Sequence, residues 1–390
     1  MRICHVITRL IIGGAQENTL LTCEGLHALG HDVTLISGPT TGPEGSLRER
    51  AIAGGYAFIE VPELVRAVNP WLDARAVREL RRHYSILKPD IVHTHSSKAG
   101  IVGREAAFVA RVPIVVHTIH GQGFNRTQPA PIRALYAFLE RRAGKRTHRI
   151  IGVAQAMIDQ ALAAGIGRPE RMRVVYSGMD VGCFTPNKAA RAAARAAWGV
   201  RSDEEVVIGS VARLFRRKGY EQLIPIMSQV AAARPNARFV WVGDGAQRGD
   251  YEAELKRLGL RDRTTLVGLV RPDEVPAQIA GFDILAHASQ WEGLPRVAPQ
   301  ALLLRVPVVA FDIDGTPEVV IPGQTGRLAA LNDLDAFSRA LIDLFDDPRE
   351  RARLGAAGRE RCLEQFDARQ MVSQLDAIYR EVAAERRLGR

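Results

Sequence analysis

The sequence has few of the features that would take it out of the ordinary globular α/β class. Its 390 residues include only four cysteines, Cys4, Cys23, Cys183 and Cys362, with no C-x-x-C pair. That excludes a thiolate zinc site of the usual spacing and a dithiol redox centre. Buried free thiols in a reducing compartment are expected instead. No apolar run approaches the ~20 residues of a membrane-crossing helix. The opening "MRICHVITRLIIGGAQ" has Arg9 inside its apolar stretch and no small-x-small cleavage site. It is read as a first strand rather than a leader. Aromatic residues are only 6% and no RNA or DNA motif is visible. Nucleic-acid binding is therefore disfavoured, despite a net charge of +10 and a pI of about 9.8. Acidic substrates and anionic lipid remain as partners for that charge. There is no short repeat and no low-complexity tract.

What is present is a plan laid down twice. Hydrophobic residues make up 46% and charged residues 25%, enough for two cores of ordinary size. The segments "HDVTLISG", "PDIVHTHSS", "VPIVVHTIHG", "THRIIGVAQ" and "MRVVYSGMD" follow the first strand. They are apolar runs that end in polar residues. "EVVIGSVAR", "ARFVWVGDG", "TTLVGLV", "DILAHAS" and "VPVVAFD" repeat the habit after a seam near "DVGCFTPNKAARAAARAAWGV". Strands apolar throughout and separated by helical segments predict parallel sheets covered on both faces. The fold class is α/β, with two doubly wound domains, and ligands are expected beyond the carboxyl ends of the strands.

The polar residues at those ends are the candidates. Gly13, Gly14 and Gln16 sit at a strand-to-helix turn, where bare backbone could approach a phosphate or simply make a tight turn. Arg213 and Lys218 share one loop and suit a diphosphate, although Arg216 and Arg217 beside them also fit a solvated basic loop. Gly243 and Asp244 end another strand. Glu292, before Gly293, could accept from sugar hydroxyls or merely sit at a helix N-terminus. His93, His95, His117 and His120 end two further strands, with Ser96 and Lys98 close by. They have no carboxylate among them and are not a closed metal-ligand set.

Taken together, "GGAQ", "HTHSSKAG", "HTIHGQGF", "VARLFRRKG", "VGDG", "SQWEGLPRV" and "DGTPEVV" resemble glycosyltransferase family 4, retaining enzymes of the GT-B fold. The wording is most similar to bacterial members that build exopolysaccharide, capsule, O-antigen or related glycolipids. The resemblance implies two Rossmann-like domains facing each other across a cleft. Residues 1–185 would form the acceptor side and 186–365 the donor side, with a helix over about 366–390 packing back on the first domain. It implies a UDP- or GDP-sugar donor, no metal, and a glycan or lipid-linked acceptor. No D-x-D pair is read at a strand end, in keeping with metal independence. Arg213 and Lys218 would hold the diphosphate, and Gly14 would approach it from the other domain. Glu292 would bind the transferred sugar, with the backbone of Gly293 and Leu294 against the phosphate. His120 would contact the sugar, and Leu269 and Val270 would cradle the base. His95, Ser96 and Lys98 are acceptor-side candidates.

Three residues depart from the family pattern. Gln300 stands where a second Glu usually accepts from both ribose hydroxyls. Pro299 precedes it, and a proline there favours a displaced helix start. Asp314 stands where Gly is frequent. Competing readings are an epimerase or phosphorylase on the same fold, or a catalytically weak scaffold. A basic amphipathic element over 131–149 is expected to rest on an anionic membrane, or else to pack its apolar stripe on the sheet. The protein is expected in the cytoplasm, at the inner face of the cytoplasmic membrane.

Overall fold

A computed structural model describes residues 1–41, 45–124, 128–202 and 204–388, with backbone only at 387 and 388. Residues 389 and 390 of the expected C-terminal segment lie outside the described residues. The chain divides into two compact units, Met1–Gly178 with Ala368–Arg390, and Met179–Asp367. The first division falls at Gly178 rather than after 185. The turn at Asp180 and the helix Lys188–Ala197, capped by Asn187, both belong to the second unit.

The first unit is built on seven parallel strands. They are β1 (Arg2–Ile7), β2 (Asp32–Ser37), β3 (Ala57–Glu60), β4 (Ile91–His95), β5 (Ile114–Ile119), β6 (Arg149–Gly152) and β7 (Met172–Val174), in the order β3-β2-β1-β4-β5-β6-β7. The second unit has six: β8 (Val206–Val211), β9 (Ala237–Val242), β10 (Thr264–Gly268), β11 (Ile284–His287), β12 (Val308–Asp312) and β13 (Gly326–Ala330), in the order β10-β9-β8-β11-β12-β13. In each sheet the chain works outward from one strand and then restarts on its other side. The β1/β4 and β8/β11 junctions are thus the switch points, where connecting helices leave a crevice above the strand ends.

The central strands are buried on both faces, as their unbroken Val/Ile runs require; β4 and β5 have no exposed residue. Of the four edge strands, β3 and β13 were not anticipated. They are short, and β3 is exposed at both ends.

The last helix, Ala368–Leu388, lies against the opening helix Gly14–Ala28 in the first unit. Met371, Leu375, Ile378 and Val382 recur every three or four residues and are all buried in that unit's core. Polar contacts fix the register. Asn18 donates to Met371 Sδ, His31 meets Asp376 at 2.9 Å, and the Tyr379 hydroxyl lies 2.5 Å from His93 Nδ1.

Two details of the sequence reading need correction. Cys183 is exposed, whereas Cys4, Cys23 and Cys362 are buried. Arg149 does not belong to a surface basic cluster, because it is buried and paired with Glu381 at 2.9 Å and Glu385 at 2.5 Å. Among the described residues no helix is long and apolar enough to cross a membrane.

Candidate active site

In the second unit, the loops after β8 and β11 meet above their switch point. The β8 loop crosses Arg213 and turns at Lys218 into the helix Tyr220–Ala233. Gly219 makes that turn possible. Its φ is 82°, and a Cβ there would lie 1.7 Å from the carbonyl oxygen of Ala288, so only glycine lets the loop lie against the end of β11. The same closeness brings Lys218 Nζ to 2.6 Å from Glu292 Oε1. His287, the last residue of β11, sets Nε2 at 3.5 Å from that oxygen. Glu292 is only 14% exposed in its side chain. Burial alone would raise its carboxyl, but the charge of Lys218, with His287 beside it, outweighs burial and holds it well below the usual carboxylate range.

The other donor-side candidates lie on loops of the same unit. Arg213 is exposed, with its guanidinium 6.0 Å from the Phe215 ring centre. Gly243 ends β9 with φ 132°, and its N–H donates to the carbonyl of Gly268 at 2.8 Å. A Cβ at Gly243 would strike the Ala212 carbonyl oxygen, so β9 leaves the sheet directly beside the Arg213 loop. Leu269 is 49% exposed and Val270 half-buried. Gly293 accepts from the Gly315 N–H at 3.1 Å, and Leu294 is buried.

Pro299 lies inside the helix that follows rather than ahead of it. The helix runs Val297–Leu303, with Pro299 in its first turn, where N–H groups have no partner within the helix and the missing one costs little. Gln300 is half-buried there, its N–H on the Arg296 carbonyl at 3.2 Å.

The reading that no strand ends in D-x-D was mistaken. Asp312 ends β12 and Asp314 follows it. Asp314 Oδ2 accepts the Glu292 N–H at 2.9 Å, so that carboxylate braces the loop, while Asp312 is exposed.

In the first unit, the loops after β1 and β4 are tied at their own switch point. Thr8 Oγ1 lies 2.8 Å from Ser96 Oγ and accepts the Ala99 N–H at 3.1 Å. Gly13 caps the opening helix in extended conformation, Gly14 is exposed, and Gln16 Oε1 lies over Gly13. Ser96 holds φ 61°, an uncommon backbone for a non-glycine residue. Two acceptor-side candidates need correction. Lys98 is paired with Asp73 and only 13% exposed. His95 is 1% exposed, so it reaches no acceptor and instead lies 3.0 Å from Nε2 of half-buried His120.

His5, His93 and His95 cluster so that one nitrogen from each lies within 4.8 Å of the others. Both nitrogens of His93 already bond, to Tyr379 and to Thr118 Oγ1 at 2.7 Å. The nearest nitrogens of His5 and His95 bond each other at 2.9 Å. A cation would have to displace these bonds and would find no carboxylate, so the donor set fits a hydrogen-bonded network better than a metal centre.

Residues 12–182 match the family described as Glycosyltransferase Family 4, and residues 191–361 match Glycosyl transferases group 1. The chain is 30% identical over 354 residues to the UDP-Gal:alpha-D-GlcNAc-diphosphoundecaprenol alpha-1,3-galactosyltransferase of Escherichia coli, covering 89% of this chain and 88% of that one. The chain belongs to the family 4 glycosyltransferases. This glycosyltransferase is also 38% identical over 193 residues to a GDP-mannose-dependent monoacylated alpha-(1-6)-phosphatidylinositol monomannoside mannosyltransferase of Corynebacterium glutamicum, over 47% of this chain and 49% of that one. Its fold is that of Anabaena HepE solved with UDP and glucose, with a TM-score of 0.82 at 22% identity, covering 98% of this chain and 100% of that one. The two Rossmann-like units of the glycosyltransferase are those of the GT-B class.

Sequence reading missed His287, His5 and the bracing role of Asp314. His287 carried a signal, since it ends a strand beside Glu292. His5 lies within a strand and carried none.

Proposed function

We propose that this glycosyltransferase moves a sugar, with retention and without metal, from a UDP- or GDP-sugar to a glycan or lipid-linked acceptor in cell-surface polysaccharide or glycolipid synthesis. The observation that carries the reading is the Lys218–Glu292 pair, closed at 2.6 Å above the β8/β11 switch point. A cation and a carboxylate placed together there match a ligand bearing both a diphosphate and hydroxyls. Lys218 exchanges its partner for the diphosphate, joined by Arg213, and Glu292 accepts from sugar hydroxyls. Gly14, Gly293 and Leu294 offer backbone to phosphate, Leu269 and Val270 hold the base, and Gln300 meets the ribose. His120 is assigned to a hydroxyl of the sugar. Ser96 serves the acceptor side.

In the reaction the anomeric carbon–phosphate oxygen bond breaks and a bond to the acceptor hydroxyl oxygen forms on the same face. The hydroxyl proton passes to the departing phosphate. The alpha linkages in the names of the Escherichia coli and Corynebacterium glutamicum relatives support retention. Their acceptors, a diphosphoundecaprenol and a phosphatidylinositol derivative, support a lipid-linked acceptor.

A surface of the first unit suits such acceptors. On the helix Ala130–Gly144, Ile132, Leu135 and Phe138 are 45%, 54% and 57% exposed. Phe108 and Val109 of the preceding helix are also exposed, and Arg133, Arg141, Arg142 and Lys145 are exposed alongside. Apolar side chains bordered by cations fit an anionic membrane at the cytoplasmic face.

A panel of UDP-, GDP- and ADP-sugars tests the proposal, with thermal stabilisation, transfer to a polyprenyl diphosphate-linked sugar, added chelator and product anomer as readouts. Stabilisation by none of the nucleotides, or an inverted product, overturns it.

A further inference from the structure

Three imidazoles stand in file from His120 into the first sheet. His120 Nε2 lies 3.0 Å from His95 Nδ1, and His95 Nε2 lies 2.9 Å from His5 Nδ1. His5 on β1 and His95 on β4 are 0% and 1% exposed. The file ends blind: His5 Nε2 is buried and has no hydrogen-bond partner among the described residues.

A neutral imidazole has one N–H and one bare nitrogen, and which nitrogen is protonated is set by the bond that the other makes. Burial pushes His5 down to about 3, and burial with the neighbouring imidazoles pushes His95 well below its ordinary value, so both are neutral in working buffers. Two neutral arrangements then satisfy the file. In one, every Nε2 carries the proton and His5 buries an N–H with no acceptor. In the other, every Nδ1 carries it: His5 donates to His95, His95 donates to His120, and the blind end is a bare lone pair. Buried donors left without an acceptor are the rarer defect. The second arrangement is therefore preferred, and it runs outward.

We infer that His5 and His95 are positioning residues that hold His120 as its Nδ1–H tautomer, a hydrogen-bond donor to an oxygen of the donor substrate. The inference rests on the proposed contact between His120 and the transferred sugar. Its chemical consequence is specific. The Nε2 lone pair of His120 accepts from His95 and its Nδ1 is protonated, so neither nitrogen has a lone pair left for the acceptor proton. His120 is a fixed dipole and not a base, and the proton must leave by way of the departing phosphate.

The test is the long-range proton–nitrogen correlation spectrum of the whole protein labelled with heavy nitrogen at histidine, which separates protonated from bare ring nitrogens, with peaks assigned by single-site variants. His5, His95 and His120 are all expected as Nδ1–H. His5→Leu removes the outward donor and should return His120 to Nε2–H. With donor sugar and acceptor, it should lower kcat/KM by about 3- to 10-fold, the worth of one neutral hydrogen bond. His5→Asn keeps an N–H at the δ position and should restore both readouts, which a merely structural loss would not do. Finding His120 as Nε2–H in the unsubstituted protein overturns the inference. So does a tautomer switch in His5→Leu with kcat/KM unchanged. A His120→Ala variant of unchanged kcat/KM would instead overturn the sugar contact on which the inference rests, and leaves the tautomer spectrum to be judged by itself.

Discussion

Asp314 accepts the backbone N–H of Glu292 at 2.9 Å from a left-handed conformation, φ 45°. Such a backbone favours glycine, and the bond explains what an aspartate adds. Asp tolerates this conformation better than most side chains. Asp314→Ala keeps the strained backbone and loses the bond, and should cost about 1–3 kcal/mol of stability. Asp314→Asn keeps an acceptor and should cost less than about 1 kcal/mol. Urea unfolding of both variants, followed by tryptophan fluorescence, checks the order.

Arg213→Ala and Lys218→Ala should each weaken UDP or GDP binding by about tenfold or more, since hydrogen bonds to charged groups are worth ~1.5–3 kcal/mol. Calorimetric titration reads this. Unchanged affinity in both variants would remove the diphosphate assignment.

Stability should follow Glu292 in acid. Its carboxyl is held well below the ordinary range, because Lys218 and His287 outweigh burial. A group so depressed adds stability that is complete above its unfolded value of ~4.3. The contribution shrinks as the pH falls beneath that value and is gone once the folded value is passed. The stability gap between the unsubstituted protein and Glu292→Gln should therefore be level from neutral pH down to the ordinary carboxylate value and narrow below it. A gap that stays constant in strong acid would show that the carboxyl is not depressed.

Gln300→Glu should tighten nucleoside diphosphate binding about fivefold, the gain of a charge-assisted bond over a neutral one at ~1 kcal/mol. The helix already begins at Val297, ahead of Pro299, so Pro299→Ala should not be needed. Titration of UDP and GDP into each variant decides, and no tightening would mean that position 300 does not read the ribose.

Tyr379→Phe should destabilise the first unit by about 1–3 kcal/mol, because His93 Nδ1 is buried and loses its partner on the last helix. Hydrogen exchange resolved along the chain should show the loss in β4 and the last helix and leave β8 to β13 unchanged.

Replacing Ile132, Leu135 and Phe138 together by Ser should reduce sedimentation with anionic vesicles and leave nucleotide affinity as it was. Raising the salt should release the unsubstituted protein, since each cation near such a surface contributes ~1 kcal/mol that ions screen.

The central strands were legible because burial on both faces demands unbroken apolar runs, and their polar ends located both crests. Two of the four edge strands, β3 and β13, were not. Ala57–Glu60 and Gly326–Ala330 are short and mixed in character, and pairing with a neighbour rather than composition makes them strands. His95 looked like a crest residue because it ends β4, yet that strand is buried throughout and alternation could not assign it a face. The bracing of Glu292 by Asp314 spans 22 residues. Such a bond depends on how two loops return from neighbouring strands, and no local pattern encodes it.

The Ala368–Leu388 helix also has a meaning for synthesis. It completes the core of the first unit, yet it is synthesised only after the whole of Met179–Asp367. At ~5–20 residues per second, the intervening stretch takes roughly ten to forty seconds to make. During that time the groove for Met371, Leu375, Ile378 and Val382 stands open on the nascent chain, and the second unit, encoded in one piece, can fold ahead of the unit that precedes it. A premature stop within Ala368–Leu388 would spare the second unit and leave the first with an unfilled core.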